Sequence, residues 1–227
     1  MAPHTSPSRF VPDTAGEVCA LATGAQALGV KLDDDQCGRL LEFARLLEHW
    51  NRAFNLISRR DVDRLLPRHL LDSLSGAALL DGTEIMDLGT GAGLPGVPLA
   101  IARADLHFTL VDRSERKIRF VRQAVRSLAL NNVSTWCGDA QALPEEARFD
   151  SVICRAVAGL DACWALARAR LGPGGRLVIM HRGQHPAAEQ AQPLALPADA
   201  RLLERRLVEI AGLEHPHELV VLTHAAA

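Results

Sequence analysis

Tyrosine is absent from the 227 residues, and aromatic residues of all kinds make up only 4%. Lysine is almost as scarce, because Lys31 and Lys117 are the only lysines among 25 basic residues. We attribute this bias toward arginine and alanine to GC-rich codons rather than to function. Long apolar runs are missing too: no window approaches the roughly 18 uninterrupted apolar residues of a membrane-spanning helix. We therefore expect no membrane partner.

A large net charge is also missing, since 25 basic residues face 27 acidic ones for a formal charge of −2. With 48% hydrophobic residues, the composition excludes a disordered chain and argues against a generally basic nucleic-acid binder. The charge is unevenly distributed, however. Residues 1–50 carry −3, residues 51–126 carry +3 and residues 127–227 carry −2. This pattern predicts one local basic surface on an otherwise near-neutral protein.

The cysteines form no CxxC pair and are odd in number, which argues against a disulfide framework or a zinc site. They are Cys19, Cys37, Cys137, Cys154 and Cys163. The first residues contain no apolar stretch behind a basic region, so they do not resemble a secretory signal. We expect reduced thiols, no metal and a cytoplasmic location.

The chain divides into a flexible tail at 1–15, a helical region at 16–80 and an α/β domain at 81–227. A helix is predicted over 34–52, because Leu40, Phe43, Leu47 and Trp50 recur on one face. Asp33 to Asp35 supply its N-cap and a favourable first-turn charge. A second helical region covers 61–80, with a break expected before Pro67.

From residue 81 onward, short apolar runs alternate with stretches of helical length, which is typical of βαβ units and a mostly parallel sheet. Two further strands near the end lack a helical spacer, so we expect them to pair as an antiparallel hairpin. The sequence thus predicts a Rossmann-like sheet of seven strands. The predicted strands are 85–88, 108–111, 133–137, 151–154, 177–180, 201–210 and 218–223.

The most informative segment runs from Asp87 to Gly96 and reads DLGTGAGLPG. Its glycines permit a tight turn and allow a ligand to approach the backbone, and the helix behind them presents free N–H groups. Asp112 ends the next strand, where a carboxylate can accept both hydroxyls of a ribose. The cofactor-binding residues predicted here are Asp87, Gly89, Thr90, Gly91, Gly93 and Asp112.

Two cofactor classes fit this loop. Gly91, Gly93 and Gly96 satisfy the GxGxxG dinucleotide pattern, which would indicate NAD. Asp87, Gly89 and Gly91 begin the DxGxG pattern of S-adenosylmethionine (AdoMet) enzymes. The terminal hairpin, and the few residues left for a separate substrate domain, favour AdoMet. The predicted fold is therefore that of a class I AdoMet-dependent methyltransferase with an N-terminal helical extension.

Further candidates follow the third and fourth strands. Asp139 is placed to accept a hydrogen bond from the adenine amino group, with the backbone of Ala140 and Gln141 along the ring edge; an ordinary polar turn is the alternative. Arg155 follows the fourth strand and faces the ligand crevice, as strand ends do in open α/β sheets. There it would contact the ligand or an RNA phosphate, or pair with a local acid.

The stretch 113–126 contains six basic residues and one acid. Arg119, Arg122 and Arg126 share one helix face and an apolar stripe occupies the other, so a solvated amphipathic helix explains the pattern. RNA contact would be an additional role of its first turn, Arg113, Arg116 and Lys117. His69 and Asp72 lie three residues apart, which we interpret as a helix-surface or capping network rather than as a catalytic base.

Taken together, these motifs resemble the bacterial guanine-N7 methyltransferase family of 16S ribosomal RNA, RsmG, also called GidB. The resemblance covers roughly residues 35 to 185. It rests on Arg68-His69 followed by Asp72-Ser73, on the run from Asp87 to Pro98, and on Asp112 before a basic helix. Trp50-Asn51, Asn55-Leu56, Arg155-Ala156 and Arg182-Gly183 complete it.

The resemblance implies AdoMet-dependent methylation of one guanine N7 in the 530 loop of 16S rRNA, within the 30S subunit or its precursor. It implies cofactor contacts at Gly89, Leu94, Ala140, Gln141 and Arg155. It also implies positioning roles for Arg155 and Arg182, and RNA contacts at Arg68, His69, Arg113, Arg116, Lys117 and Arg182. The sequence departs from the family at Gln141, where glutamate is usual, at Arg182, where lysine is usual, and in the order Arg116-Lys117.

Guanine N7 carries a lone pair and no proton, so in-line attack on the sulfonium methyl needs no general base. Two other functions remain compatible with the residues alone. A methyltransferase of a small molecule would turn over without RNA, and a non-enzymatic AdoMet-binding regulator would bind the cofactor without transferring its methyl group.

Overall fold

The computed structural model describes residues 14–58, 65–155, 159–181 and 194–225. Helix α1 spans Thr14–Ala27 and α2 spans Asp34–Phe54. A π-helical turn at Leu66–Leu71 then leads directly into α3, Asp72–Leu74, and a 3₁₀ turn follows at Ala77–Leu79. The predicted break before Pro67 is wrong, because Leu65 is already helical and the helical segment continues through the proline. The chain changes from α-helical to π-helical geometry around the proline instead of ending the helix.

The sheet contains seven strands in the order β3-β2-β1-β4-β5-β7-β6. They are β1 Glu84–Leu88, β2 His107–Asp112, β3 Val133–Cys137, β4 Phe149–Arg155, β5 Leu171–His181, β6 Ala200–Val208 and β7 His217–His224. Strands β1 to β5 pair in parallel, and β7 is antiparallel to both β5 and β6. The predicted sheet with its C-terminal hairpin is confirmed. The last strand lies between β5 and β6.

Strand β5 is longer than predicted. Its pairing with β4 already begins where Leu171 meets Phe149, ahead of a register shift between Phe149 and Ser151. The predicted 177–180 is therefore only the second, regular part of the strand. The glycine-rich residues before it are held in the sheet by this irregular pairing.

Helices cover both faces of the sheet: α4 spans Gly96–Ala102, α5 spans Glu115–Ser127 and α6 spans Leu160–Ala167. Buried side chains of the central strands point alternately to the two faces of the sheet, as a two-sided sheet requires. Ile85 and Ile153 join the core shared with α1, α2, α4 and α5. Met86 and Val152 join the core on the α6 side.

Helix α2 is anchored at both ends. Asp33 caps its first turn, because Asp33 Oδ1 accepts from the Gln36 amide at 2.7 Å and Gln36 Oε1 accepts from the Asp33 amide at 3.0 Å. Asn55 ends the helix in a left-handed conformation with φ of 47°. The capping prediction is confirmed.

The apolar face of α2 packs against α5 and the sheet. Phe43 is fully buried, and its ring centroid lies 6.2 Å from that of Phe120. Trp50 approaches the same ring at 5.6 Å. The N-terminal helices therefore share one core with the sheet and rest against the helix that follows β2. Among the helices described, none is long and apolar enough to cross a membrane.

Candidate functional site

The loop between β1 and α4 is a tight backbone turn that requires glycine. Gly89, Gly91 and Gly93 have φ angles of 73°, 59° and 79°, in the region that side chains rarely adopt. The amides of Gly89 and Thr90 both donate to the Val111 carbonyl at 2.9 Å, which ties the loop to the end of β2. The predicted cofactor loop thus presents its backbone at the carboxyl edge of the parallel strands.

Asp87 supports this loop from inside β1. Its side chain is fully buried, and Oδ2 accepts a hydrogen bond from the Gly96 amide at 2.8 Å. Burial raises the pKa of Asp87 to about 6, although the Thr90 hydroxyl, the Gly96 amide and Arg155 counteract part of the rise. Asp87 therefore holds the loop in place from below rather than offering its carboxylate to solvent.

Asp112 stands at the end of β2 beside the loop. Its Oδ2 accepts from the Gly91 amide at 2.9 Å and its Oδ1 accepts from the Ser114 amide at 2.8 Å. Lys117 Nζ lies 3.7 Å from Oδ2. These contacts fix the carboxylate at the mouth of the site, in the place predicted for a ribose-binding acid.

Two cavities meet at the loop, and Gly89 and Asp112 line both of them. The larger has a volume of about 340 Å³ and extends toward the N-terminal helices and β7. Besides the loop, it is lined by Leu56, Ile57, His69, Asp72, Lys117, Arg155, Met180, His181 and His217. The smaller has a volume of about 210 Å³, and its lining includes the apolar side chains of Leu88, Val111 and Leu166 and the charged side chains of Arg113 and Asp139.

The turn after β3 contributes Asp139 and Ala140 to the smaller cavity. Arg113 and the Gln141 amide bind the Asp139 carboxylate at 2.5 and 3.0 Å. These contacts, the Gln141 amide foremost, lower the pKa of Asp139. Gln141 is not among the lining residues, and its carbonyl accepts from Arg170 at 2.6 Å. The turn therefore offers Asp139 and Ala140 to a ligand, while the backbone of Gln141 stabilises the turn itself.

A buried polar cluster forms one wall of the larger cavity. Arg155, at the end of β4, donates to Oδ2 of Asp72 at 3.0 Å. Arg155 Nη2 also lies 3.4 Å from Nδ1 of His69. On the other side of the carboxylate, Nδ1 of His217 lies 2.5 Å from Oδ1 of Asp72. Asp72 thus stands between a guanidinium and an imidazole from two different strands.

The helix-surface interpretation of His69 and Asp72 is wrong, because the two side chains are only 3% and 4% exposed. They face inward from the helical segment and meet Arg155, which is 83 residues beyond Asp72. His217 was missed from the sequence altogether. Nothing in a short terminal strand distinguishes a histidine that points into a site.

The remaining predicted residues lie at the surface or outside the described residues. Arg113 and Arg116 are exposed, whereas Lys117 is half-buried and lines the larger cavity. Arg119, Arg122 and Arg126 are exposed on one face of α5, while Ile118 and Val121 are fully buried on the other, as predicted. Arg182 and the Arg68 side chain lie outside the described residues, so their roles stay predictions.

The cavities can bind a polar nucleoside at the glycine loop and leave space beside it for a second reactant. Backbone amides, three carboxylates (Asp72, Asp112 and Asp139), two guanidinium groups (Arg113 and Arg155) and the ammonium of Lys117 line the two cavities together with apolar side chains. Within the described ranges, no group of three His, Cys, Asp or Glu side chains could hold a metal ion.

The fold is similar to crystal structures of the glycopeptide N-methyltransferase MtfA complexed with S-adenosyl-L-homocysteine and with S-adenosyl-L-methionine. The TM-score is 0.56 in both cases, at 13% and 14% identity, over 69% and 70% of this chain and 87% and 88% of that chain. TrmN from Thermus thermophilus has a TM-score of 0.50 at 23% identity, over 70% of this chain and 53% of its own. These similarities confirm the predicted methyltransferase fold.

Sequence similarity identifies the family. The GidB family model, described as rRNA small subunit methyltransferase G, matches residues 36–212. A ribosomal RNA small subunit methyltransferase G from Escherichia fergusonii is 39% identical over 194 residues, which are 86% of this chain and 92% of that protein. Its counterpart from Xanthomonas campestris pv. campestris strain B100 is 41% identical over 203 residues, 89% of this chain and 93% of that protein. The resemblance inferred from the motifs is confirmed: the chain belongs to the rRNA small subunit methyltransferase G family of methyltransferases.

Proposed function

We propose that this enzyme transfers the methyl group of AdoMet to N7 of a guanine in the 530 loop of 16S rRNA, without a general base. The observation that carries the proposal is the pair of cavities that meet at Gly89 and Asp112. One cavity suits an adenosine, and the other provides room for the methionine part and a flipped-out base. The family and the names of its relatives support the coarser part of this proposal, which is methyl transfer to small-subunit rRNA.

The smaller cavity fits the adenosine part of AdoMet. Asp112, between the two cavities, would accept the ribose hydroxyls, and Asp139 and Ala140 would meet the adenine edge. The apolar side chains of Leu88, Val111 and Leu166 would cover the ring faces. The backbone of the glycine loop would contact the methionine part of AdoMet. A Cβ built on Gly91 would lie 4.0 Å from Lys117 Nζ, so this part of the loop lies beside Lys117.

When bound, AdoMet supplies an electrophilic methyl group on a sulfonium. The N7–CH₃ bond forms as the S–CH₃ bond breaks, which leaves neutral S-adenosylhomocysteine and a guanine that carries the positive charge. No proton moves, so neither His69 nor His217 has to act as a general base. The protein contributes chiefly by positioning, which in favourable systems is worth up to about 7–11 kcal/mol.

Recognition of the guanine must leave N7 open. The usual bidentate arginine contact engages both O6 and N7, and would therefore block the nucleophile. We propose instead that Arg155 and Arg182 position the reactants through other atoms, and that an unstacked base is recognised through O6 and its Watson–Crick edge. Arg68, Arg113, Arg116 and Lys117 would contact the surrounding RNA, and the buried His69 would meet only RNA that enters the larger cavity.

The decisive experiment incubates the enzyme with labelled AdoMet and unmodified 30S subunits, and in parallel with naked 16S rRNA, followed by mapping of the modified nucleotide. We expect 7-methylguanosine at one position of the 530 loop. Methylation of another atom alone would refute the N7 assignment. Turnover on small molecules without RNA would favour a small-molecule methyltransferase.

A further inference from the structure

The larger cavity is balanced in charge among the residues described. Lys117 and Arg155 are the cations along its wall, and each faces its own carboxylate, Asp112 at 3.7 Å and Asp72 at 3.0 Å. The Asp112 carboxylate also accepts a hydrogen bond from the Gly91 amide of the glycine loop. The Asp72 carboxylate faces Arg155 on one side and His217 on the other.

Asp72 is held rigidly and away from water. Its side chain is 5% exposed and that of its partner His217 is 7% exposed, whereas Arg155 reaches 17%. Because Oδ1 faces His217 and Oδ2 faces Arg155, the carboxylate cannot rotate without losing one of them. A buried carboxylate with both oxygens engaged acts on its surroundings through its charge.

The reaction proposed above brings a positive charge into this cavity. Because Arg155, Asp72 and the glycine loop line the same cavity, a sulfonium bound at the loop would share that cavity with Arg155, and partly desolvated charges there still interact appreciably. Arg155 alone would repel the sulfonium and, after transfer, the methylated guanine. A carboxylate at 3.0 Å from the guanidinium removes most of that repulsion while leaving the arginine available as a donor.

We infer that Asp72 is a positioning and charge-balancing residue that allows a sulfonium to bind beside Arg155, with His217 orienting the carboxylate from β7. This inference rests on the proposed use of AdoMet. It assigns a role to a pair of side chains that need not touch either reactant. Asp72 holds Arg155 in place and cancels its charge, and His217 holds Asp72.

The test compares AdoMet with S-adenosylhomocysteine, which lacks the methyl group and the positive charge. Calorimetry on the purified full chain gives both Kd values, and their ratio measures the preference for the sulfonium. Asp72→Asn should lower this preference about tenfold, because Arg155 is left uncompensated. Arg155→Gln should raise it several-fold, and the double variant should return it close to the wild-type value.

A merely structural role predicts a different pattern, in which each variant weakens both ligands by the same factor. Equal weakening, or a shift of both single variants in the same direction, would overturn the inference. If thermal melting shows that Asp72→Asn does not fold, Arg155→Gln decides alone, and an unchanged or reduced preference refutes the charge-balancing role.

Asp81→Asn is the matched control. Asp81 pairs with Arg176 at 2.6 Å, but it precedes β1 and so lies at the opposite edge of the sheet from the loop. The sulfonium preference should not change in this variant. Failure of the wild-type protein to bind either ligand would instead refute the proposed cofactor, so the two failures are distinguishable.

Discussion

Gly96 lies directly against Asp87. Its amide donates to Asp87 Oδ2 at 2.8 Å, and a Cβ built on Gly96 would stand 2.6 Å from the same oxygen and 2.2 Å from Cδ2 of Leu110. The first residue of α4 can therefore approach β1 and β2 only because it lacks a side chain. This contact sets the distance between the strand and the helix that flank the glycine loop.

Substitution of Gly96 by alanine should consequently destabilise the fold. Because Asp87 is buried and tethered, we expect a loss of about 1–3 kcal/mol in the free energy of unfolding, as for other overpacked sites. Urea denaturation measures this loss. The matched control is Gly38→Ala in α2, where a Cβ would meet nothing within 4 Å and should stabilise the helix by up to about 1 kcal/mol. Similar effects of the two substitutions would contradict the packing argument.

The stability of the protein should depend on the protonation of Asp87. Burial raises the pKa of this group from 3.8 to about 6, so the folded state binds the proton more tightly than the unfolded chain. Asp87 therefore contributes favourably to the free energy of unfolding at low pH, and this contribution is lost as the pH rises from 3.8 through about 6. Above this range, the ionised carboxylate costs about 3 kcal/mol.

Asp87→Asn removes this titration and retains an oxygen that can accept from the Gly96 amide. We expect the variant to gain stability relative to the wild type as the pH rises from about 4 to 7. Urea unfolding across that range provides the measurement. Parallel stability curves for the two proteins would show that Asp87 titrates normally.

Asn51 connects α2 to the larger cavity. Its Oδ1 accepts from the Ile57 amide at 2.8 Å, and the side chain is 5% exposed. This bond positions Leu56 and Ile57 along the cavity wall. Asn51→Ala would leave the buried amide unpaired, at a cost of about 1–3 kcal/mol, and should raise the KM for the ribosomal substrate.

Arg52→Ala serves as the control for Asn51. The Arg52 side chain is 62% exposed and pairs with Glu48 at 2.9 Å, an interaction worth about 0.3–0.5 kcal/mol. Steady-state kinetics on 30S subunits should therefore show a changed KM for Asn51→Ala only. Equal KM values for the two variants would show that the Asn51 contact does not contribute to substrate binding.

The first turn of α5 should bind RNA phosphate. Arg116 is exposed there, beside Lys117 at the cavity, whereas Arg126 is exposed at the far end of the same helix. Arg116→Gln should weaken rRNA binding and reduce the slope of log K against log salt by about one. Filter binding at several salt concentrations measures the slope. Arg126→Gln should leave it unchanged, and an equal reduction in both variants would indicate a diffuse electrostatic surface.

Features that depend on neighbouring residues were predictable from the sequence. Asp33 stands three residues before Gln36, the spacing of a capping box, and the glycine run permits the left-handed backbone that Gly89, Gly91 and Gly93 adopt. The alternation of Ile85 and Met86 between the two cores follows from the period of a strand. In each case the physical cause lies within a few residues of its effect.

Contacts between distant segments were not predictable in the same way. Asp72 meets His217 across 145 residues, and no local pattern marks either side chain as half of a pair. The carbonyl of Gln141 accepts a hydrogen bond from Arg170, 29 residues further along the chain, and no local pattern indicates this contact. The hairpin was predictable from spacing, but spacing does not specify which of its two strands adjoins β5.

The insertion of β7 between β5 and β6 has a consequence for how the protein is made. Asp72 and Arg155 precede β7 in the chain. His217, which contacts the Asp72 carboxylate, lies in β7 itself. A nascent or truncated chain that lacks this strand cannot assemble the cavity wall. The wall of the larger cavity therefore depends on β7, because His217 of this strand contacts Asp72 there.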